Sequence, residues 1–254
     1  MTPDLFITWA SGRILKAPSF RCFRESLRRQ QASLVIFTQP DHWASECLCP
    51  DEHTRIVPCG RTSPNLLVER HKHIADYLAS TKPDVRFAIH LDARDVVLLR
   101  DIRTSLLPFE GQLLLFDEGM THADSVWNQR DQALLQGTPV ACETWPVING
   151  GVQIGPPEKI EALSRSIWAI GQGKGCSDQA ILNRLYQNSL RNNCQLISPR
   201  QSGLVVHGSV IERGLLDLQL GSDGQVWGRG LREPYGIFHQ WDRTSLARWV
   251  YQRF

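Results

Sequence analysis

The chain has 254 residues, 42% of them apolar and 21% charged; it is long enough to bury a sizeable core, and this composition excludes a disordered chain. The formal net charge is only +2, from 28 Lys and Arg against 26 Asp and Glu, which excludes nucleic-acid binding by bulk electrostatics. No stretch approaches the ~20 continuous apolar residues of a membrane helix.

From the N-terminus, MTPDLFITWASGR lacks the basic and long apolar regions of a secretory signal. The expectation is a cytoplasmic protein without a transmembrane segment, for which peripheral membrane association stays open. LFITWA (5–10) reads as a strand, PSFRCFRESLRRQ (18–30) as a helix, LVIFTQ (34–39) as a second strand and RIVPCG (55–60) as a third. NLLVERHKHIADYLAS (65–80) spaces Leu66, Leu67, Arg70, Ile74, Tyr77 and Leu78 as a helix does. VRFAIHLD (85–92) is apolar on both faces, as the centre of a covered sheet requires.

QLLLFDE (112–118) is a further strand, and PVINGGVQIGP (146–156) is a strand bent at a Gly-Gly pair. PEKIEALSRSIWAI (157–170) and CSDQAILNRLYQNSL (176–190) are helices, the first with Pro157 near its start and the second with Ser177 as N-cap. LVVHGS, then LDLQL and QVWGRG around a Gly-Ser-Asp-Gly turn, predict a small antiparallel region. IFHQW is a last strand and DRTSLARWVYQRF a closing helix. Strand and helix alternate through the first ~100 residues, which predicts a parallel, doubly wound sheet. The less regular second half predicts that the sheet becomes mixed.

In an open α/β sheet, ligands sit outside the carboxyl ends of the strands. Asp92, Arg94 and Asp95 fall at such an end. Two carboxylates there can coordinate Mg²⁺ or Mn²⁺, hard cations that prefer oxygen, and Arg94 can add a charge-assisted contact to a diphosphate. A solvated turn with Arg94 paired to its neighbours explains the same residues. Asn149-Gly150-Gly151 is either a strand bulge or a place where backbone approaches a ligand closely. Asp178 and Gln179 either answer a helix dipole or line a sugar pocket. His239 is either a buried imidazole or a late metal ligand.

The seven cysteines (Cys22, Cys47, Cys49, Cys59, Cys142, Cys176 and Cys194) are scattered and odd in number, which fits reduced thiols better than a disulfide framework. His42, Cys47, Cys49, His53 and Cys59 are dense enough to hold zinc, yet their spacing matches none of the usual patterns. A loop of free thiols is the default for that segment.

Taken in order, LDARDVVL, WPVINGGVQIGP, GCSDQAILNRL and IFHQWDR resemble the motifs of GT-A glycosyltransferases, closest to the retaining families that use nucleotide-sugar donors. The resemblance spans roughly residues 5 to 243. It implies a single α/β domain over 1–254, with a Rossmann-like nucleotide-binding half to about residue 110 and a donor-sugar and acceptor half beyond.

It also implies the transfer of a hexose from a nucleoside-diphosphate sugar, UDP-sugar favoured, to a glycan or glycoconjugate acceptor in polysaccharide biosynthesis. By resemblance, Asp92, Asp95 and His239 hold Mn²⁺ or Mg²⁺. Thr8, Trp9 and Ala10 meet the nucleoside, and Arg70 and Arg94 meet the donor phosphates. Asn149, Gly150 and Gly151 line the donor sugar, and Asp178 and Gln179 are the catalytic pair placed beside the reacting sugar.

The sequence departs from the usual Asp-x-Asp: Arg94 occupies the second position, so Asp95 has to serve. An inverting enzyme would need a carboxylate base, for which Asp178, Glu118 and Asp117 are candidates. A metal-dependent phosphohydrolase also uses strand-end aspartates, but Arg94 interrupts its Asp-x-Asp. A nucleotide-sugar-binding protein without turnover would keep all four motifs.

Overall fold

The structure is a computed structural model that describes residues 3–136 and 144–254; Cys142 lies outside them. In chain order it runs β1 (Leu5–Trp9), α1 (Pro18–Arg29), β2 (Ser33–Thr38), α2 (His42–Cys47), β3 (Thr54–Pro58), α3 (Leu66–Thr81), β4 (Ala88–Leu91) and β5 (Val96–Leu98). There follow β6 (Leu114–Thr121), α4 (Val126–Gln136), β7 (Pro146–Gly155), α5 (Pro157–Gly171), α6 (Asp178–Leu185), β8 (Gln195–Ile197) and β9 (Val205–His207). The chain closes with α7 (Gly208–Glu212), β10 (Leu218–Leu220), β11 (Val226–Gly228), β12 (Ile237–His239) and α8 (Ala247–Arg253).

The protein is α/β with a mixed central sheet of seven strands in the order β3-β2-β1-β4-β7-β6-β8. β1, β2, β3 and β4 are mutually parallel, β7 runs against both β4 and β6, and β8 returns parallel to β6. The central strands are apolar on both faces because both faces are covered. Phe6, Leu34, Ile36, Ile89 and Ile154 pack against Phe20, Phe23 and Leu27 of α1. Ile7, Val35, Ala88 and Ile148 pack on the other face against Val68 and Ile74 of α3, Ile160 and Leu163 of α5, and Ile181 of α6.

A second sheet, β5-β12-β9, contributes one face to the main core and the other to a core of its own. Val96, Leu98 and Ile237 join the α1 side of the main core, while Val97, Val206 and Phe238 face Trp241 and Val250. This period-2 division is what locks β12 beside β5 and carries His239 to the tip of β4.

Several elements escape the sequence pattern. α4 (VWNQRDQALLQ) has no clear apolar stripe; polar contacts to α6 hold it. α2 is a short helix capped by Asp41, whose Oδ1 accepts from Ala44 N at 2.9 Å. β5 and β8 have three residues each, and α7 has five. The helix expected over 176–190 is α-helical only to Leu185 and continues as a π-turn over Tyr186–Leu190.

Candidate active site

Order in the main sheet reverses between β1 and β4: the chain leaves β1 toward β2 on one side and reaches β7 on the other side of β4. A crevice outside the carboxyl ends is expected at that point, and Asp92 is the first residue past β4. Its N–H donates to Gly151 O at 2.8 Å, so the β4–β7 ladder extends one step and sets Asp92 beside the Gly-Gly pair. The bulge reading of Asn149-Gly150-Gly151 holds. Between the pairs Leu115↔Gln153 and Asp117↔Ile148, β7 advances five residues while β6 advances two, so β7 bulges at Asn149–Gly151. Bulges re-aim side chains and gather near active sites.

Asp92, Asp95 and His239 converge. One ligand atom of each lies within 4.8 Å of the other two, the sole such group of His, Cys, Asp or Glu among the described residues. His239 Nε2 stands 3.6 Å from Asp92 Oδ2 and 3.6 Å from Asp95 Oδ1, too long for hydrogen bonds and suited to three ligands around one cation. Its Nδ1 meets His207 Nδ1 at 3.0 Å, which turns Nε2 toward the carboxylates. A Cβ on Gly151 would come 2.6 Å from His239 Nε2 and 2.7 Å from Asp92 Oδ2. The glycine therefore keeps open the space that the triad faces. Two carboxylates and an imidazole suit Mn²⁺ and also accept Mg²⁺. The residues present fit the ion.

α3 delivers the cation that joins the two halves of the site. Arg70 is buried; its Nε and Nη2 donate to Asp178 Oδ2 at 2.9 and 2.5 Å, its Nη2 to Gly150 O at 3.2 Å, and its Nη1 to Asp92 Oδ1. His71 Nε2 adds a 3.1 Å contact to the same Asp178 oxygen, and Asp178 Oδ1 accepts from Gln179 N at 2.9 Å.

Burial opposes charge on Asp178, but Arg70 and His71 outweigh it and hold the carboxyl below its usual range. Burial likewise opposes charge on Asp92, which Arg70 and His239 hold well below that range. For His239, burial works against the cation, while Asp95 and Asp92 raise its pKa. Burial lowers His71, and it pushes His90, which Arg70 and His71 also disfavour as a cation, down to about 3.

α6 is fixed from both sides. Ser177 caps it, accepting from Ala180 N at 3.2 Å, and Asp131 of α4 accepts from Ser177 N at 3.0 Å. Asn183 exchanges two 2.8 Å hydrogen bonds with the backbone of Ile148 on β7. The Gln179 amide is thereby held: Oε1 accepts from Gly150 N at 3.0 Å, while Nε2 donates to Asn128 Oδ1 at 2.9 Å and to Glu118 Oε1 at 3.4 Å. Asn149 Nδ2 donates to the same Glu118 oxygen at 2.8 Å, and Asn149 Oδ1 accepts from Gly151 N.

Of the sequence-predicted residues, Asp92, Asp95, His239, Arg70, Asn149, Gly150, Gly151, Asp178 and Gln179 thus meet, while Thr8, Trp9 and Ala10 make no contact with that group among the described hydrogen bonds. Arg94 is half exposed, its Nη2 3.2 Å from Asp95 Oδ2 and 3.7 Å from Asp242. Thr8 is fully buried, and its hydroxyl donates to Leu91 O at 2.7 Å, so it ties β1 to β4. Trp9 and Ala10 are buried at the end of β1, with the Trp9 ring centroid 5.1 Å from that of His73 and the two rings tilted.

The cluster of His42, Cys47, Cys49, His53 and Cys59 does not form a metal-competent group among the described residues. The six described cysteines are free thiols. Sequence reasoning passed over His71, Asn128, Asp131 and His207. His71 follows Arg70 directly and could have been suspected; the others carry no local signal.

No protein-family model matches this chain. Nor does any curated protein match it.

Proposed function

We propose that the chain is a GT-A glycosyltransferase that moves a hexose from a nucleoside-diphosphate sugar, UDP-sugar favoured, to a glycan or glycoconjugate acceptor with retention of configuration. The observation that carries this reading is the meeting of Asp92, Asp95 and His239 at a strand end with Asp178 and Gln179, joined to them through Arg70. Residues far apart in sequence converge there by way of two sheets and two helices.

Asp92, Asp95 and His239 would hold Mn²⁺ or Mg²⁺, which when bound supplies charge stabilisation to a departing diphosphate. Arg94, half exposed beside Asp95, reaches the phosphates as a second cation and makes up for the missing second Asp of the motif. Gly150 and Gly151 let the donor lie against the β7 backbone. The amides of Asn149 and Gln179 are oriented before substrate arrives, so they can meet sugar hydroxyls without reorganisation. Asp178 has both oxygens engaged by Arg70, His71 and Gln179 N. Its part is to anchor Arg70 and place negative charge near a sugar that becomes cationic. No helix among the described residues is long and apolar enough to cross a membrane, and the acceptor is reached from the open side of the crevice.

The test is a panel of nucleotide sugars followed by thermal shift and calorimetry. Mn²⁺ is expected to raise UDP affinity, and Asp92→Asn to abolish that gain; equal binding in EDTA and Mn²⁺ would remove the metal-bridged donor. Slow release of UDP without acceptor is expected of the enzyme, whereas a binding protein releases none. A phosphohydrolase would instead release inorganic phosphate from monoesters.

A further inference from the structure

We infer that Glu118 is the catalytic nucleophile of the transfer, an assignment that rests on the glycosyltransferase reading. Four carboxylates surround the site, and three are already engaged. Asp92 and Asp95 face His239, and Asp178 is saturated by Arg70, His71 and Gln179 N. Glu118 differs. It is only 4% exposed, and its Oε1 takes the amide protons of Asn149 and Gln179, while no described residue donates to Oε2. These two amide donors fix the side chain's rotamer. A carboxyl this buried, gripped through one oxygen while no described residue reaches the other, is positioned to meet a ligand.

Backbone geometry supports the same assignment. Between Asp117↔Ile148 and Thr121↔Pro146, β6 advances four residues while β7 advances two, so Glu118 lies in a bulge of its own, followed by Gly119 at φ +67°. The β7 bulge faces it across the same pair of strands. Asn149, which holds Glu118, is two residues from Gly151, no more than ~7 Å of strand. Gly151 in turn lies against Asp92 and His239. A sugar whose diphosphate sits at the triad therefore extends over Asn149 toward Glu118, with the carboxylate on the side away from the leaving group.

In the first step, Glu118 Oε2 forms a bond to the anomeric carbon as the carbon–oxygen bond to the diphosphate breaks. The electron pair of that bond leaves on the diphosphate. In the second step, the acceptor oxygen attacks the same carbon from the diphosphate side, the carboxylate leaves as the anion, and the acceptor's proton passes to the diphosphate. Two inversions give net retention.

The deciding variant is Glu118→Gln, which preserves volume. It is expected to lose more than about 1,000-fold in turnover with Mn²⁺-dependent UDP affinity unchanged. The wild-type product, examined by NMR, should keep the anomeric configuration of the donor. Glu118→Ala in azide should form a glycosyl azide of the opposite configuration. Near-wild-type transfer by Glu118→Gln would overturn the assignment. An inverted wild-type product would also overturn it, because the carboxylate would then take a proton and form no bond to carbon. A wild-type protein that releases no nucleoside diphosphate from any donor would fail the glycosyltransferase reading itself, and the assignment with it.

Discussion

The two sides of the central sheet are built differently. From β3 to β4 the strands are parallel and in unbroken register, with five consecutive pairs between β1 and β2 and five between β2 and β3. Across β7 and β6 the register breaks twice, once in each strand. The regular side buries Ile7, Val35, Ile36 and Phe37 and brings Asp92 to the end of β4. The broken side turns Asn149, Gly150, Gly151 and Glu118 out of the ladder and into a hydrogen-bonded group. Regular pairing gives a rigid platform, and the chemistry collects where pairing is interrupted, because an unpaired residue is free to point at a ligand. Arg70 joins the two sides: it comes from α3, over the regular half, and its guanidinium reaches Gly150 O on the broken half.

Breaking that link should have the largest effect. Arg70→Met leaves Asp92 and Asp178 without their shared cation, one of them deeply buried, and should cost about 3–5 kcal/mol of stability in urea titrations. Adding Asp178→Asn to Arg70→Met should recover part of that loss. A loss under about 1 kcal/mol would show that the two carboxylates are solvated or protonated and that Arg70 is not the joint.

A smaller effect separates the halves by function. Gly151→Ala places a methyl group against His239 Nε2 and Asp92 Oδ2, and should lower Mn²⁺ affinity by about 10–100-fold in calorimetry. On the regular side, Ile36→Val should cost about 0.5–1.5 kcal/mol of stability and leave Mn²⁺ affinity untouched. Equal metal binding by Gly151→Ala and the wild type would move the ion away from the β7 bulge.

The smallest effect is a pH dependence. His90 is held down to about 3 and His71 is also lowered, burial being the main cause in both. Unfolded histidines titrate near ~6.5. Below that value the unfolded chain binds protons that the folded chain refuses, so stability falls as pH is lowered from about 6.5 toward 3. His239 acts in the opposite sense: its raised pKa contributes stability below the unfolded value, which is lost as pH rises through the folded one. Asp92 and Asp178, held low, contribute above about 3.9 and lose that contribution only as pH falls through their folded values. Between pH 6 and 4.5 the buried neutral histidines should prevail, with a loss on the order of 1 kcal/mol per pH unit. His90→Gln should flatten the curve; an unchanged slope would assign the protons to other groups.

Much of the scaffold was legible because its elements are long and periodic. LFITWA, LVIFTQ and VRFAIHLD are strands, and the helix over 65–80 differs from α3 by one residue at each end. α4 was not legible, since Asn128, Asp131 and Gln132 meet α6 through side-chain hydrogen bonds that leave no apolar stripe. β5 was not, because three apolar residues after a turn have no period of their own. Among the site residues, the placement of Thr8 was anticipated at the end of β1, but its hydroxyl is spent on Leu91 O.

Local physics in the sequence alone determined an α/β chain with a parallel first half, carboxylates at the end of β4, a bend at Asn149–Gly151 and a capped helix at Ser177. Apolar periodicity, turn chemistry and caps act over a few residues, so one chain segment suffices to read them. Only the tertiary structure decided that Asp178 is bound by Arg70 and His71, that His207 turns His239 toward Asp92 and Asp95, and that Glu118 is gripped through one oxygen while no described residue donates to the other. Those facts depend on pairings between residues 31 to 108 positions apart. Such distances are set by strand order and by two register shifts, and no local preference records either.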